Sequence, residues 1–472
     1  MSKEYVELFK LVDNSVTLSG GKVTVVNPDT FRSKIQQWVD ISTRGSGALQ
    51  GLARFLVRVT AQELGIFPAS IFELYMARGR GEIPPTFTVP ALNLRVLSFD
   101  SARAAFQAAK SIEASALIFE IARSEMGYTA QKPAEFATNV LAAAIAEDYQ
   151  GPIFLQGDHY QVSAKKYATD PEQEIRAIQS LIKESIQAGF YNIDIDTSTM
   201  VDIQKPDLIE QQKLNIELSV RIARFISENQ PKDVTISIGG EIGEVGGKNS
   251  TAEELTTYVD GFNQLLKQQG INQPGLSKIS IQTGTSHGGV VLPNGTIASV
   301  SVDFDTLKKL SRVCRSQYGM GGTVQHGAST LPEEAFGKFV EYEAVEVHLA
   351  TNFMNMFYDL APVELKTKLY RYLDTNFAAE RKPGITDEQF YYKTRKNAIG
   401  PFKNEIFQMP VAFHDAITSA WREKFASLFE LLGLAGSRKI VAQVITPRII
   451  QAKIEDFLGS DYKKEDVSDL AD

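Results

Sequence analysis

The middle of the chain alternates between short apolar segments and longer amphipathic ones. Eight segments have the length and the apolar, β-branched content of buried strands. They span residues 87–92, 115–119, 153–155, 191–195, 234–238, 279–283, 323–325 and 344–349. Between most of them, apolar residues recur at helical spacing, as in 99–112 and 208–229. This alternation predicts an α/β fold, a (β/α)8 TIM barrel, although an open doubly wound sheet would show the same alternation.

The two flanks of the chain are helical in pattern and carry no strand alternation. The first flank contains amphipathic stretches at 29–41, 47–63 and 69–78 and ends in Pro84-Pro85, which a helix cannot continue through. We therefore predict three parts, which are an N-terminal helical extension over 1–84, a barrel over 85–355 and a C-terminal helical region over 356–472. Arg78 and Arg80 precede the first strand, and we expect them to be solvated or interface charges.

Composition narrows the class of protein. Hydrophobic residues make up 43% and charged residues 22% of the 472 positions, which is ordinary globular content. No apolar stretch approaches the roughly 20 residues that a bilayer requires, and the first residues do not resemble a signal peptide. We expect a cytoplasmic protein with no membrane partner. A formal charge of −8 gives no overall basic surface for nucleic acid.

The single cysteine excludes two further kinds of site. Cys314 cannot form an internal disulfide framework or a cysteine-rich metal site, and its helical setting predicts a core position. The helices of the C-terminal region are rich in Phe and Tyr, and a barrel does not need them to close its core. We expect them to cover the barrel or to pair subunits, as in a homodimer or a higher homo-oligomer.

Three of the five histidines follow the ends of predicted strands. His159, His287 and His326 each stand beside Gly or Asp, at or just past a strand's carboxyl end. A barrel carries its chemistry at this rim. Three imidazoles on one rim would make a Zn²⁺ site with an open fourth position, as a Lewis acid requires. Asp194 and Asp196 share a strand face, and one of them is expected to orient a ligand histidine.

Five segments together resemble the class II, metal-dependent fructose-bisphosphate aldolases. They are Asp158-His159, Ile195-Asp196-Thr197-Ser198, Glu241-Ile242-Gly243-Glu244-Val245-Gly246-Gly247, Ser286-His287-Gly288 and His326-Gly327-Ala328-Ser329. Their order and spacing match the family across residues 87–352. The resemblance implies Zn²⁺ on the three histidines, with Glu241 as a ligand in one metal position. It also implies that Asp158 exchanges a hydroxyl proton of the substrate.

The activity implied by this resemblance is the reversible cleavage of a phosphorylated ketose. Fructose 1,6-bisphosphate would give dihydroxyacetone phosphate and glyceraldehyde 3-phosphate through an enediolate that zinc stabilises. Such a substrate needs an anion site. Gly288, Gly327, Ser329 and Thr351 stand in turns where backbone N–H groups can converge on a phosphate, so we expect them to bind it.

This chain departs from the family pattern at several positions. Where the family has an acidic pair whose Glu exchanges the enediolate proton, this chain has Lys248-Asn249-Ser250. Glu244 is then the candidate for that proton, and Lys248 for a charge on the substrate. His348 replaces an asparagine that contacts the enediolate, and is a candidate catalytic residue. Glu120 and Arg123 stand where the family has amide and Ser groups near the distal part of the substrate.

These departures leave several functions open. The chain is an aldolase for fructose 1,6-bisphosphate, a metal enzyme for tagatose bisphosphate or another sugar phosphate, or a non-catalytic sugar-phosphate-binding or assembly protein. A Schiff-base mechanism would need Lys278, which begins the sixth strand and is expected to lie away from the rim. His414, in a C-terminal helix, is expected to be structural.

Overall fold

All eight predicted strands form the wall of a closed parallel barrel. The computed structural model describes residues 3–19, 22–243, 248–284, 292 and 302–458. Its strands are β1 (Val16–Ser19), β2 (Lys22–Val25), β3 (Ile66–Pro68), β4 (Val89–Asn93), β5 (Ile118–Ala122), β6 (Gly151–Gln161), β7 (Asn192–Asp196), β8 (Ser237–Glu241), β9 (Lys278–Ser280), β10 (Thr323–Gln325) and β11 (Glu346–Leu349). β4 to β11 pair in sequence order, and β11 returns to β4. The predicted (β/α)8 barrel is confirmed, and the open doubly wound alternative is wrong.

Helices fill most of the connections between strands and both flanks of the chain. They are α1 (Lys3–Leu11), α2 (Pro28–Lys34), α3 (Gln36–Arg44), α4 (Gly47–Glu63), α5 (Phe72–Gly79), α6 (Ser98–Ser111), α7 (Arg123–Thr129), α8 (Pro133–Ala146), α9 (Ala164–Thr169), α10 (Pro171–Ala188), α11 (Leu208–Asn229), α12 (Ala252–Gln268), α13 (Phe304–Tyr318), α14 (Phe336–Glu341), α15 (Thr351–Leu360), α16 (Val363–Asn376), α17 (Asp387–Thr394), α18 (Lys403–Phe407), α19 (Val411–Leu431) and α20 (Ser437–Val444). Among the described residues, no helix has the length and apolarity of a membrane span.

The strands are buried on both sides, as parallel barrel strands must be. Every residue of β4, β5 and β7 is buried, and the outer helices pack alanine-rich faces on the wall, as α6 does. Helix α19, from the C-terminal region, packs against α6, and its Trp421 and Phe425 are fully buried. Its His414 Nδ1 lies 2.9 Å from Asp100 Oδ2. Cys314 is buried in α13, as expected.

The N-terminal region closes the amino end of the barrel. β3 adds a parallel strand beside β6, and the side chain of Asn192, the first residue of β7, hydrogen-bonds the backbone of Ala69 and Ile71. Arg78 is buried and donates to the carbonyl oxygens of Phe87 and Ala344, just before β4 and β11. The expectation that Arg78 is solvated is therefore wrong, because its guanidinium caps strand ends.

Other N-terminal elements also differ from the prediction. The hairpin of β1 and β2 and the short β3 were not expected. The predicted helix over 29–41 is divided at Ile35 into α2 and α3. No proline or glycine marks that division, so the hydrophobic pattern gave no signal of it.

Candidate active site

A β-bulge in β6 brings two adjacent predicted site residues to the same side of the strand. Between Gly157 and Tyr160, β6 carries one residue more than β7, and His159 has a left-handed φ of 38°. Adjacent residues of a regular strand point to opposite faces, and a bulge re-aims one of them. Asp158 Oδ1 and His159 Nε2 consequently lie only 3.9 Å apart, both buried inside the barrel.

His159, Glu241 and His326 form a group with the donor chemistry of a metal site. One ligand atom from each lies within 4.8 Å of the others, and all three side chains are buried. His326 Nδ1 is 3.6 Å from Glu241 Oε2, and the rings of His159 and His326 have centroids 4.3 Å apart. Two imidazoles and one carboxylate are a donor set that Zn²⁺ takes in catalytic sites. The structure therefore brings together three of the four predicted ligands.

Asp196 fixes the orientation of the His159 ring. Its Oδ2 lies 2.9 Å from His159 Nδ1, and Ser198 donates to its Oδ1 from both the backbone N–H and the hydroxyl. With the Nδ1 proton held by this carboxylate, Nε2 is the ring atom on the side of Glu241 and His326, and it is the atom that would bind a metal. Of the two aspartates on β7, Asp196 is therefore the one that orients a candidate ligand.

The pKa values of these groups shift in different directions. Although burial alone would lower it, the Asp158 and Asp196 carboxylates raise the pKa of His159 to about 10, so this ring must lose a proton when it binds a metal. Burial and the neighbouring imidazoles of His348 and His159 hold the pKa of His326 well below its usual range, so this ring is neutral. Burial, together with the charge of Asp196, raises the pKa of Glu241 to about 8. Although burial alone would raise the pKa of Asp158, His159 and His348 hold it well below its usual range. Asp158 is thus an ionised carboxylate beside the metal group.

His348 lies on the floor of this site, next to Asp158. Its Nδ1 is 3.2 Å from Asp158 Oδ1 and 3.1 Å from Glu120 Oε1, and its Nε2 is 2.7 Å from Glu346 Oε1. Burial alone would lower the pKa of His348, but the Glu120 and Asp158 carboxylates raise it well above its usual range. The structure places this predicted residue with Asp158, His159, Glu241 and His326.

A layer of polar side chains beneath His348 was not predicted. Lys278 Nζ lies inside the barrel, 2.5 Å from Glu346 Oε1, 2.9 Å from Asp194 Oδ2 and 2.7 Å from Gln156 Oε1. Tyr75, from α5, donates its hydroxyl to Glu346 Oε2. The signal was present in the sequence, because Glu346 and His348 alternate on β11 and must share a face.

The predicted phosphate-binding residues lie at the carboxyl ends of β10 and β11. Gly327 has a left-handed φ of 69°, Ser329 Oγ accepts a hydrogen bond of 2.6 Å from the N–H of Ala350, and Thr351 begins α15. In TIM barrels, the loops after the seventh and eighth strands and a helix N-terminus commonly hold phosphate. Ser329 thus holds the α15 turn in place, and its phosphate role stays a prediction.

Several predicted residues lie elsewhere or outside the described residues. Lys248 is exposed, and its neighbour Asn249 donates to Asp303 Oδ2 at 2.7 Å. Glu244, His287 and Gly288 are outside the described residues. Their predicted roles in proton transfer, metal binding and phosphate binding remain predictions.

Two buried arginines near the rim differ in their surroundings. Arg123 makes a two-pronged ion pair with Glu174, at 2.5 Å and 3.1 Å, and donates to Gln161 O. It therefore ties the carboxyl end of β6 to helix α10. Arg95 was not predicted; it follows β4 and pairs with Glu125 at 2.6 Å. Although burial alone would lower the pKa of Arg95, Glu125 raises it, and Asp158 contributes a smaller effect in the same direction.

Comparison with known proteins agrees with this geometry. The sequence matches the family model described as Fructose-bisphosphate aldolase class-II over residues 85–436. No curated protein matches the chain.

Solved structures with a similar fold include the fructuronate-tagaturonate epimerase UxaE from Cohnella laeviribosi, at a TM-score of 0.51 and 11% identity over 92% of this chain and 90% of that one. A probable tagatose 6 phosphate kinase from Sinorhizobium meliloti has a TM-score of 0.51 and 16% identity, over 76% of this chain and 99% of that one. A fructose-bisphosphate aldolase from Campylobacter jejuni has a TM-score of 0.48 and 17% sequence identity, over 79% of this chain and 97% of that one. These identities show a shared fold alone. The family match, which covers most of the chain, is what identifies it, and the chain belongs to the class II fructose-bisphosphate aldolase family.

Proposed function

We propose that this chain is a metal-dependent aldolase that reversibly cleaves fructose 1,6-bisphosphate to dihydroxyacetone phosphate and glyceraldehyde 3-phosphate. One observation carries the proposal. Asp158 Oδ1 lies 3.9 Å from His159 Nε2 and 3.6 Å from His326 Nε2. A carboxylate base therefore stands beside the candidate metal ligands, as aldol cleavage requires.

Asp158 is the proposed proton acceptor. Its low pKa keeps it ionised at neutral pH, so it can take the proton of the C4 hydroxyl while the C3–C4 bond breaks. Burial keeps bulk water away from this exchange, because the side chain is only 4% exposed. His348, 3.2 Å away, positions the carboxylate and balances its charge.

His159, Glu241 and His326 are the proposed metal ligands within the described residues, with His287 as a further predicted ligand. When bound there, a divalent ion such as Zn²⁺ supplies positive charge where negative charge develops on the sugar oxygens. Asp196 holds His159 in the required orientation.

The phosphate of the three-carbon product is proposed to bind at the turn after β10 and at the start of α15. Gly327 adopts its left-handed conformation there, and the ten-residue helix α15 presents its positive end at Thr351. Lys248 and Gly288 are the further predicted contacts.

A second candidate is the same chemistry on a different sugar phosphate, such as tagatose bisphosphate. Glu120 and His348 favour it, because both differ from the family pattern and both lie against Asp158 or its neighbours. Changes of charge and shape beside the base alter which hydroxyl stereochemistry the site accepts.

Cleavage assays test these proposals. Purified protein is given fructose 1,6-bisphosphate in a coupled triose-phosphate assay with and without EDTA, alongside His326→Ala and Asp158→Asn. We expect EDTA and His326→Ala to abolish cleavage, and Asp158→Asn to slow it by about 10²–10⁴-fold. The matched control is His414→Ala, which removes a histidine outside the barrel and should retain activity. Cleavage that resists both EDTA and His326→Ala would refute the metal-dependent mechanism.

The substrate is tested by a panel that also contains tagatose 1,6-bisphosphate, other ketose phosphates, fructuronate and tagaturonate. Higher turnover on tagatose bisphosphate than on fructose bisphosphate selects the second candidate. Bound metal with no turnover on any compound selects the non-catalytic binding protein. The cytoplasmic location and the homo-oligomer stay predictions of the sequence, and light scattering on the purified chain measures the second.

A further inference from the structure

A cleft on the outside of the barrel lies between the N-terminal and C-terminal regions. Its walls are the start of α4, the turn between α7 and α8, Lys403 of α18, and the segment at Phe457 and Leu458. The cleft has a volume of about 680 Å³, and none of its lining residues belongs to the candidate active site. Sites for small organic ligands commonly have volumes of roughly 300–1,000 Å³, so the cleft is large enough for one.

Cations outnumber carboxylates on the walls of this cleft. Within the described residues, its charged lining consists of Arg54, Lys132, Lys403 and Glu135. The side chains of Arg54 and Lys403 are only 12% and 19% exposed, so both are part of the wall and not free surface charges. The whole chain carries a formal charge of −8, which makes this positive lining a local exception. A cleft with this lining favours an anionic ligand.

The two largely buried cations are held in fixed positions. Arg54 Nε and Nη2 donate to the carbonyl oxygen of Ser42 at 3.2 Å and 2.7 Å. Lys403 Nζ donates to the carbonyl oxygen of Ala130 at 2.8 Å and to Glu135 Oε2 at 2.7 Å. Glu135 Oε2 also lies 3.7 Å from Arg54 Nη2, so two cations share one carboxylate. The pair therefore keeps a positive charge for a ligand, in an arrangement that binding does not have to order.

Two helices begin at the cleft and add to its positive potential. Helix α4 has 17 residues and α8 has 14, and residues of both first turns line the cleft. Neither N-cap residue, Ser46 for α4 or Lys132 for α8, accepts a hydrogen bond from its helix through the side chain. The N–H groups of a first turn carry partial positive charge, and phosphate is a common ligand there. The helix ends thus support the choice that the three cations make.

Part of the lining is apolar. Ala48, Phe457 and Leu458 contribute it. Phe457 can approach α4 because residue 51 is glycine, where a Cβ would lie 2.3 Å from the carbonyl oxygen of Phe457. A bare inorganic ion would leave this apolar surface in water, whereas a ligand with an organic group would cover it.

We infer that this cleft is a second ligand site, which binds an organic phosphate outside the barrel. Arg54, Lys132 and Lys403 suit the phosphate groups, and the apolar part of the lining suits a nucleoside or a sugar attached to them. The inference goes beyond the proposed aldolase activity and does not depend on it.

Calorimetric titration of the full-length chain tests the inference. ADP and glucose 6-phosphate represent the two kinds of organic group, and pyrophosphate and phosphate are their inorganic counterparts. EDTA is present throughout, so that no ligand binds through a metal at the candidate active site. We expect one molecule of ADP or of glucose 6-phosphate per chain, bound more tightly than its inorganic counterpart.

Variants of the cleft locate the ligand. Arg54→Gln and Lys403→Gln should each weaken binding by at least about 10-fold, because each removes a charge-assisted hydrogen bond. Lys424→Gln is the matched control, because it removes a lysine that lies 3.6 Å from Glu333 and outside the cleft, and it should bind as the wild type does. Circular dichroism checks that each variant is folded.

Glu135→Gln should have the opposite effect. It removes a negative charge from the wall and leaves Arg54 and Lys403 to the ligand, so we expect binding to become several-fold tighter. A structural disturbance of the cleft would weaken binding in this variant as well, and the opposite sign therefore separates the two explanations.

Four results would overturn the inference. The first is the absence of saturable binding of ADP and of glucose 6-phosphate at millimolar concentration. The second is binding that Arg54→Gln and Lys403→Gln leave unchanged. The third is loss of binding in His326→Ala, which would place the ligand in the candidate active site. The fourth is pyrophosphate or phosphate binding as tightly as its organic counterpart, because the apolar lining would then contribute nothing.

None of these measurements uses turnover. A chain that binds an organic phosphate in the cleft but cleaves no ketose phosphate refutes the aldolase activity alone. A chain that cleaves a ketose phosphate but shows any of the four results refutes the second site alone.

Discussion

His159 Nδ1 lies 2.9 Å from Asp196 Oδ2, so a residue of β7 sets the orientation of a candidate metal ligand on β6. Despite burial, the hydrogen bond and charge of His159 lower the pKa of Asp196 to about 2, which keeps it ionised. In Asp196→Asn we expect Zn²⁺ affinity to fall about 10–100-fold, because the neutral amide holds the ring less firmly. Competition with a chelating dye measures the affinity. Asp202→Asn, an exposed change in the following loop, should leave it unaltered; an equal affinity in both variants would contradict the role of Asp196.

The bulge in β6 depends on a glycine. A Cβ on Gly157 would lie 2.3 Å from Cζ of Tyr160, whose ring is fully buried and whose hydroxyl contacts Ser185. In Gly157→Ala we expect a loss of about 1–3 kcal/mol in unfolding free energy and a weaker metal site, because the bulge must shift. Urea unfolding and Zn²⁺ titration measure both.

Gly337→Ala is the control for this substitution. Gly337 lies in α14, and its added Cβ would meet nothing closer than 4.0 Å. We expect it to be neutral or to stabilise the helix by up to about 1 kcal/mol. Gly157→Ala with wild-type stability and wild-type metal binding would show that the bulge tolerates a side chain.

Lys278 holds two carboxylates together in the barrel interior. Its Nζ is 2.9 Å from Asp194 Oδ2 and 2.5 Å from Glu346 Oε1, and the residue is 1% exposed. In Lys278→Met we expect the metal-free chain to lose about 3–5 kcal/mol of unfolding free energy, because a buried charge is left without its partner. Lys368→Met, which removes a surface pair with Glu405, should cost less than about 1 kcal/mol. Similar losses in the two variants would contradict this account.

The pair of His414 and Asp100 should make stability depend on pH. Although burial lowers the pKa of His414, its hydrogen bond to Asp100 raises it above the unfolded value of about 6.5. The stabilisation is therefore complete below the unfolded pKa and is lost as the pH rises through the folded pKa. Unfolding free energies of wild type and His414→Gln, measured at pH 6 and pH 9, should differ more at pH 6. A difference that does not change with pH would contradict the prediction.

The sequence was informative about the strands because each carries a continuous apolar run, bounded by residues that stop it. It also placed His159 and His326 correctly at strand ends, since the carboxyl ends of parallel strands share one rim. It could not show that Asp158 and His159 point the same way, because that depends on a bulge rather than on alternation.

The polar layer beneath His348 was missed for a different reason. Lys278 and Glu346 are each embedded in an apolar strand, where a charged residue is usually taken as an exception. Their significance appears only when strands from distant parts of the chain are neighbours, as in the pairing of Glu120 with Gln156. Charged residues within apolar strands are therefore the sequence feature that indicates a polar layer inside the barrel. An analysis of hydrophobic periodicity alone does not take them into account.

Tyr75 and its acceptor Glu346 are 271 residues apart, which has a consequence for how the chain is made. At the usual pace of roughly 5–20 residues per second, a ribosome needs about 15–50 s to travel between them. A similar time separates the synthesis of Arg78 from that of Ala344, whose carbonyl oxygen accepts its hydrogen bond. During synthesis, the contacts of helix α5 with Glu346 and Ala344 can therefore form only after the last strand of the barrel has left the ribosome.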